Sequence, residues 1–137
     1  MSVFIDTSAF IAFMDVNDKR HTDAAPAWAS LVASSEQLVV SSYLLVETCS
    51  LLQARFGGSS VSRFASQAVP LLSVVWVDEP LHQAAMGAFL AAGAGRHAPS
   101  LVDCISFEIV KRQGIERVFA YDQHFARLGC SFLGGGP

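Results

Sequence analysis

Four acidic residues of the 137-residue sequence stand where apolar runs begin, end or are interrupted: Asp6, Glu47, Asp103 and Asp122. Asp6 closes the run Val3-Phe4-Ile5 and is followed by Thr7 and Ser8. Asp122 closes the run over 117–121 in the same way. Glu47 interrupts an apolar helical face, with Leu44 three residues before it and Leu51 four after. Asp103 lies three residues beyond Ser100, at the start of a late helical pattern.

Each acid has an ordinary explanation. Asp6 is a good helix N-cap, although Thr7 and Ser8 can cap equally well. Ser100-Leu101-Val102-Asp103 is a capping box, with an acid placed favourably at a helix start. Asp122 suits a turn in Tyr121-Asp122-Gln123-His124. Glu47 has Arg55 eight residues on, but two turns is a long reach for an ion pair. As a set, the four are harder to explain singly. Like charges brought close together raise one another's pKa and destabilise the fold unless a cation intervenes. A hard divalent ion suits an all-carboxylate donor set, which makes Mg²⁺ or Mn²⁺ the expected cofactor.

Whether the set converges depends on the elements that carry it. Val3-Phe4-Ile5 reads as a strand buried on both faces, the parallel-sheet pattern. Further strands are expected over 38–40, 73–77 and 117–121, with a short fifth over 130–133. Helices are expected over 9–14, 24–34 (capped by Thr22 or Asp23), 43–56, 61–69, 81–92 and 100–112. Residues 93–99 read as a flexible loop. This alternation predicts an α/β fold, a three-layer α/β/α sandwich around a mainly parallel sheet of four to five strands. Asp6 and Asp122 then sit at carboxyl ends of strands. Glu47 and Asp103 sit in the first turns of helices that start at that edge, where open α/β sheets bind ligands.

Composition bounds the rest. The length suits one domain over 1–133, with 134–137 as a flexible Gly-rich tail. A hydrophobic content of 52% against 15% charged residues supports a sizeable core and excludes disorder. The net charge of −3 gives no prior for a broad phosphate-tracking surface. Cys49, Cys104 and Cys130 form no CxxC and no metal spacing with His, and read as free thiols in a reducing compartment. No signal-like opening and no membrane-length apolar stretch is seen, so a cytoplasmic protein is expected.

The order and spacing of Asp6-Thr7-Ser8, helical Glu47, Ser100-Leu101-Val102-Asp103 and Tyr121-Asp122-Gln123-His124-Phe125 resemble the PIN-domain nucleases. The size and the opening Asp-Thr-Ser-Ala-Phe look like the VapC-type toxins of prokaryotic toxin–antitoxin pairs. The resemblance covers nearly the whole chain and rests on four weak motifs in the right order. It implies Mg²⁺- or Mn²⁺-dependent endoribonuclease activity, an RNA substrate, a homodimer and a small antitoxin partner. By position it makes Asp6, Glu47, Asp103 and Asp122 the catalytic, metal-holding acids, with Ser8 as an auxiliary hydroxyl. One departure stands out: Tyr121 occupies a place where that family usually has Ser or Thr.

Few basic residues are placed to meet a phosphate. Lys19 and Arg20 follow the first helix, and Arg96 and His97 precede Asp103, so these are the substrate-contact candidates. His124, two residues beyond Asp122, is placed to contact substrate, but it reads first as a turn residue. Trp28, Leu31 and Val32, and Phe56, Val61, Phe64 and Ala65, form apolar helix surfaces for core packing, a dimer face or a partner helix. Two other readings compete: a PIN-like module with weak or no catalysis, and an α/β phosphatase using a nucleophilic strand-end Asp. The second needs an acid or Gly-Thr pattern after the Asp, which Asp6-Thr7-Ser8-Ala9-Phe10 lacks.

Overall fold

The structure, a computed structural model, describes residues 1–93 and 95–137. The loop expected over 93–99 includes Ala94, which lies outside the described residues. Five parallel strands form one sheet in the order β3-β2-β1-β4-β5. They are β1 (Ser2–Ile5), β2 (Gln37–Ser41), β3 (Ser73–Val75), β4 (Arg117–Phe119) and β5 (Ser131–Phe132). β1 is central, pairing Phe4 with Val39 on one side and with Val118 on the other. Val3, Phe4 and Ile5 are wholly buried, so both faces of the strand are covered. This is why β1 is an unbroken apolar run rather than an alternating one.

Among the described residues six α-helices complete the sandwich: α1 (Thr7–Met14), α2 (His21–Ala33), α3 (Ser42–Phe56), α4 (Gly58–Arg63), α5 (Glu79–Ala91) and α6 (Leu101–Gln113). α1 packs on α2 and α3, and α5 on α6. Aromatic side chains tie the layers to the sheet. Phe10 meets Phe64 edge-on with ring centroids 5.0 Å apart, and Phe125 meets Phe107 at 5.2 Å and Phe4 at 6.0 Å. Cys49, Cys104 and Cys130 are free, and among the described residues no helix is long and apolar enough to cross a membrane.

The strand order fixes where a ligand can enter. From β1 the chain moves outward to β2 and β3, then returns to the other side of β1 for β4. β1 and β4 are therefore adjacent strands whose outgoing connections part in opposite directions, and a crevice opens at their carboxyl ends. Asp6 follows β1 and Asp122 lies three residues beyond β4. The Asp6 N–H donates to Phe119 O at 3.0 Å and locks the two strand ends together.

Several elements depart from expectation for local reasons. α2 begins at His21, because neither Thr22 nor Asp23 serves as its cap. The helix expected over 61–69 is three short pieces: α4, a π-helical turn (Phe64–Ala68) and a 3₁₀ turn (Val69–Leu71). Pro70 has no N–H to continue the α-helical ladder, and the winding changes just before it. Residues 134–136 do not run free: Gly135 N–H donates to both Asp23 carboxylate oxygens, at 3.0 and 2.9 Å, and Gly136 is buried against Phe132.

Candidate active site

The crevice is an open cleft of about 500 Å³ at the carboxyl edge of the sheet. Asp6, Glu47, Asp103 and Asp122 all line it, as do Thr7, Ser8, Ser100, Lys19, Arg20, Arg55 and Tyr121. Of the expected basic contacts, Lys19 and Arg20 are in the lining. Arg96 and His97 are not: both are exposed, and His97 faces this region through its carbonyl, 2.8 Å from His124 Nε2.

The capping explanations and the shared cleft hold at once. Asp6 caps α1 through Oδ2, which accepts from Ser8 N–H at 3.1 Å and from Ser8 Oγ at 2.5 Å. Asp103 Oδ2 accepts from Ser100 N–H at 2.9 Å while Ser100 Oγ accepts from Asp103 N–H at 3.1 Å, a complete capping box. Asp122 Oδ1 accepts from His124 N–H at 2.9 Å and caps a 3₁₀ turn (Gln123–Leu128). Each Asp spends one oxygen on a backbone that fixes its direction. Among the described residues, the other oxygen takes no protein hydrogen bond.

Thr7 and Ser8 do not cap; they hold the acids. Thr7 Oγ1 donates to Glu47 Oε2 at 2.8 Å and lies 2.9 Å from Thr48 Oγ1, so β1's exit is tied to the middle of α3. Glu47 lies in the second turn of α3, one turn later than expected, and reaches the cleft because its face also carries Leu51 and Arg55. Ser8 Oγ donates to Asp6 and accepts from Tyr121 N–H at 2.9 Å. The Tyr121 backbone therefore supports Asp6 through Ser8, while its hydroxyl donates to Asp23.

Electrostatics follows from this packing. Asp6 is only 5% exposed, and burial, opposed by the Ser8 hydrogen bonds and reinforced by Asp103 and Asp122, pushes its pKa up to about 7. Burial is also the main force raising Glu47 and Asp103, with Asp122 adding to both. Among the described residues no Lys or Arg forms an ion pair with any of the four acids. Arg55, a candidate partner for Glu47, lines the cleft instead, and three other basic side chains pair elsewhere: Lys111 and Arg112 with Glu108, Arg117 with Glu36.

His124 is more than a turn residue. Its Nδ1 lies 2.8 Å from Asp122 Oδ1 and 3.7 Å from Asp103 Oδ2, without hydrogen-bond geometry to either. The bond from its other nitrogen to the His97 carbonyl is the main force raising its pKa. One potential ligand atom from each of Asp103, Asp122 and His124 falls within 4.8 Å of the others. Asp6 and Glu47 stand outside that tight trio on the same cleft wall. The signal available in the sequence was the Asp-x-His spacing. Oxygen-rich, with Asp6, Glu47 and Asp103 raised in pKa and no Lys or Arg counter-charge among the described residues, the donor set fits a divalent cation.

The PIN-domain family profile matches residues 3–129. The chain belongs to the PIN-domain family. Within it, the relatives are VapC-type nucleases. The chain is 30% identical over 130 residues to the 23S rRNA-specific endonuclease VapC20 of Mycobacterium tuberculosis, in strains CDC 1551 and H37Rv, covering 93% of this chain and 94% of each relative. The crystal structure of M. tuberculosis VapC20, described as a sarcin-ricin loop cleaving toxin, superimposes with a TM-score of 0.82 at 28% identity. That match covers 95% of this PIN domain and 97% of the solved chain.

Proposed function

We propose that this PIN domain is an endoribonuclease toxin of the VapC type that hydrolyses RNA phosphodiester bonds with Mg²⁺ or Mn²⁺. The observation that carries the reading is the cleft: Asp6, Glu47, Asp103 and Asp122 meet there from four separate elements, unpaired with Lys or Arg, with Asp18 and the cationic Lys19, Arg20 and Arg55 also in the lining. A divalent ion in such a set neutralises the carboxylates and acidifies water near neutral pH. Asp6, Glu47, Asp103 and Asp122 are the residues assigned to hold it.

The chain's own groups do the positioning. Ser8 fixes the plane of the Asp6 carboxylate, Thr7 fixes Glu47, and the Ser100 box fixes Asp103, so the acids are aimed before substrate arrives. Asp122, grouped with Asp103 and His124, helps hold a second ion or orients water for attack on phosphorus. Lys19, Arg20 and Arg55 take the non-reacting phosphates. Attack by water rather than by a ribose 2′-hydroxyl leaves a 5′-phosphate and a 3′-hydroxyl.

The relative's substrate makes 23S rRNA the first RNA to assay. A homodimer, a small antitoxin and a cytoplasmic location complete the proposal. A second groove, lined by Phe13, Met14, Trp28 and Phe64, offers apolar surface to such a partner. The test is Mg²⁺-dependent cleavage by wild type, Asp6→Asn and Asp103→Asn. Loss of cleavage in both variants supports the assignment, and full activity in both rejects it. An inactive wild type that still binds RNA favours the regulatory-module reading.

A further inference from the structure

A hydrogen-bonded chain runs from residue 135 to the acidic cluster. Gly135 N–H donates to Asp23, and the Asp23 carboxylate accepts from Tyr121 Oη at 2.5 Å. Tyr121 N–H donates to Ser8 Oγ, which donates to Asp6. Asp23 thus receives three hydrogen bonds from two partners far away in sequence, which is why it does not cap α2. Gly134 has φ +63°, and a Cβ there would overlap Asp23 Oδ2, so only glycine lets this segment approach the carboxylate so closely.

The ring of Tyr121 has a second partner. The Arg20 guanidinium carbon lies 5.4 Å from the ring centroid, within cation–π range. Both residues line the cleft with the four acids. Arg20 forms no close ion pair with a carboxylate among the described residues; the Tyr121 ring is its nearest platform, the Asp23 carboxylate acts on it from further off, and its hydrogen-bond donors remain available. Tyr121 is in turn held at two points: its backbone on Ser8 and its hydroxyl on Asp23.

We infer that Tyr121, braced by Asp23 and the 134–136 segment, is a positioning residue that sets the Arg20 guanidinium at the cleft for an RNA phosphate. The inference rests on the endoribonuclease reading and adds to it the device that orients one of its phosphate contacts.

The test uses the full chain, Mg²⁺ and a fluorescein-labelled single-stranded RNA. Arg20→Gln is expected to raise KM about tenfold with kcat within about twofold, and to lower the salt slope of binding by about 0.7, the increment for one phosphate on single-stranded RNA. Tyr121→Phe keeps the ring and the backbone bond to Ser8 but frees the ring from Asp23, and is expected to raise KM about threefold with kcat unchanged. Gly134→Ala is expected to behave like Tyr121→Phe, which guards against an effect peculiar to one substitution. The Arg20→Gln/Tyr121→Phe double variant is expected to be no worse than Arg20→Gln alone, since the two act in series. A fall in kcat for Tyr121→Phe, or additive losses in the double variant, overturns the inference in favour of a general structural role through Asp6. Anisotropy of the same RNA in EDTA reads the contact independently of cleavage. Unchanged affinity and salt slope in Arg20→Gln and Tyr121→Phe overturn the inference; weaker, less salt-sensitive binding supports it even if the wild type cleaves nothing.

Discussion

Asp6→Asn is expected to stabilise the metal-free protein while destroying its activity. Asp6 is buried beside Asp103 and Asp122, and its pKa is pushed from 3.8 up to about 7. Each unit corresponds to 1.36 kcal/mol, so ionised Asp6 opposes folding by roughly 4 kcal/mol above neutral pH. The direction follows from the pKa order. The folded-state value lies above the unfolded one, so the stability contributed by protonated Asp6 is fully present below pH 3.8 and is lost as pH rises through about 7. Asparagine removes the charge and can still accept from Ser8 N–H and Oγ, though more weakly than a carboxylate. That loss offsets about half the gain and leaves about 2 kcal/mol, or about 5–10 °C in Tm for a chain of this length. Differential scanning calorimetry in EDTA at pH 8 and pH 5 reads it. The variant should melt higher at pH 8, with most of the difference gone at pH 5, and Mg²⁺ should raise the Tm of the wild type but not of the variant. A variant that melts at or below wild type at pH 8 in EDTA refutes the reasoning.

Three further outcomes follow from individual contacts. Thr7→Val removes the hydroxyl that Glu47 and buried Thr48 share, and should destabilise by about 1–2 kcal/mol with roughly a tenfold fall in kcat, read by denaturant titration and single-turnover cleavage. Phe10→Ala empties a wholly buried site between Phe64, Phe13 and Trp28, and should cost about 3–5 kcal/mol in chemical denaturation. Arg55→Gln should raise KM for RNA severalfold with little change in Tm, because Arg55 lines the cleft and pairs with no acid among the described residues.

Most of the frame was legible because parallel sheets write themselves plainly. The unbroken run Val3-Phe4-Ile5 marks a strand buried on both faces, and Ser100 with Asp103 marks a helix start in four residues. The acids converge because strand ends and helix starts share one edge of such a sheet. What local pattern hid was long-range. The Tyr121–Asp23 and Gly135–Asp23 bonds join residues 98 and 112 positions apart, so Asp23 reads as a cap and 134–137 as a loose tail. In sequence, capping and metal holding read as rivals for Asp6, Asp103 and Asp122, yet a carboxylate has two oxygens and these three use one for the cap. Arg55 reads there only as a partner for Glu47. Eight residues span about 12 Å of helix, so the side chain serves the cleft two turns further along.

The end groups of the RNA fragments test the central claim most directly. Labelled 23S rRNA is incubated with the wild-type protein in Mg²⁺ and in EDTA, and any new termini are typed by phosphatase, kinase and ligase treatment. Hydrolysis at the carboxylate cleft predicts 5′-phosphate and 3′-hydroxyl ends with Mg²⁺ and no fragments in EDTA. Fragments that form in EDTA and carry 2′,3′-cyclic phosphates contradict it.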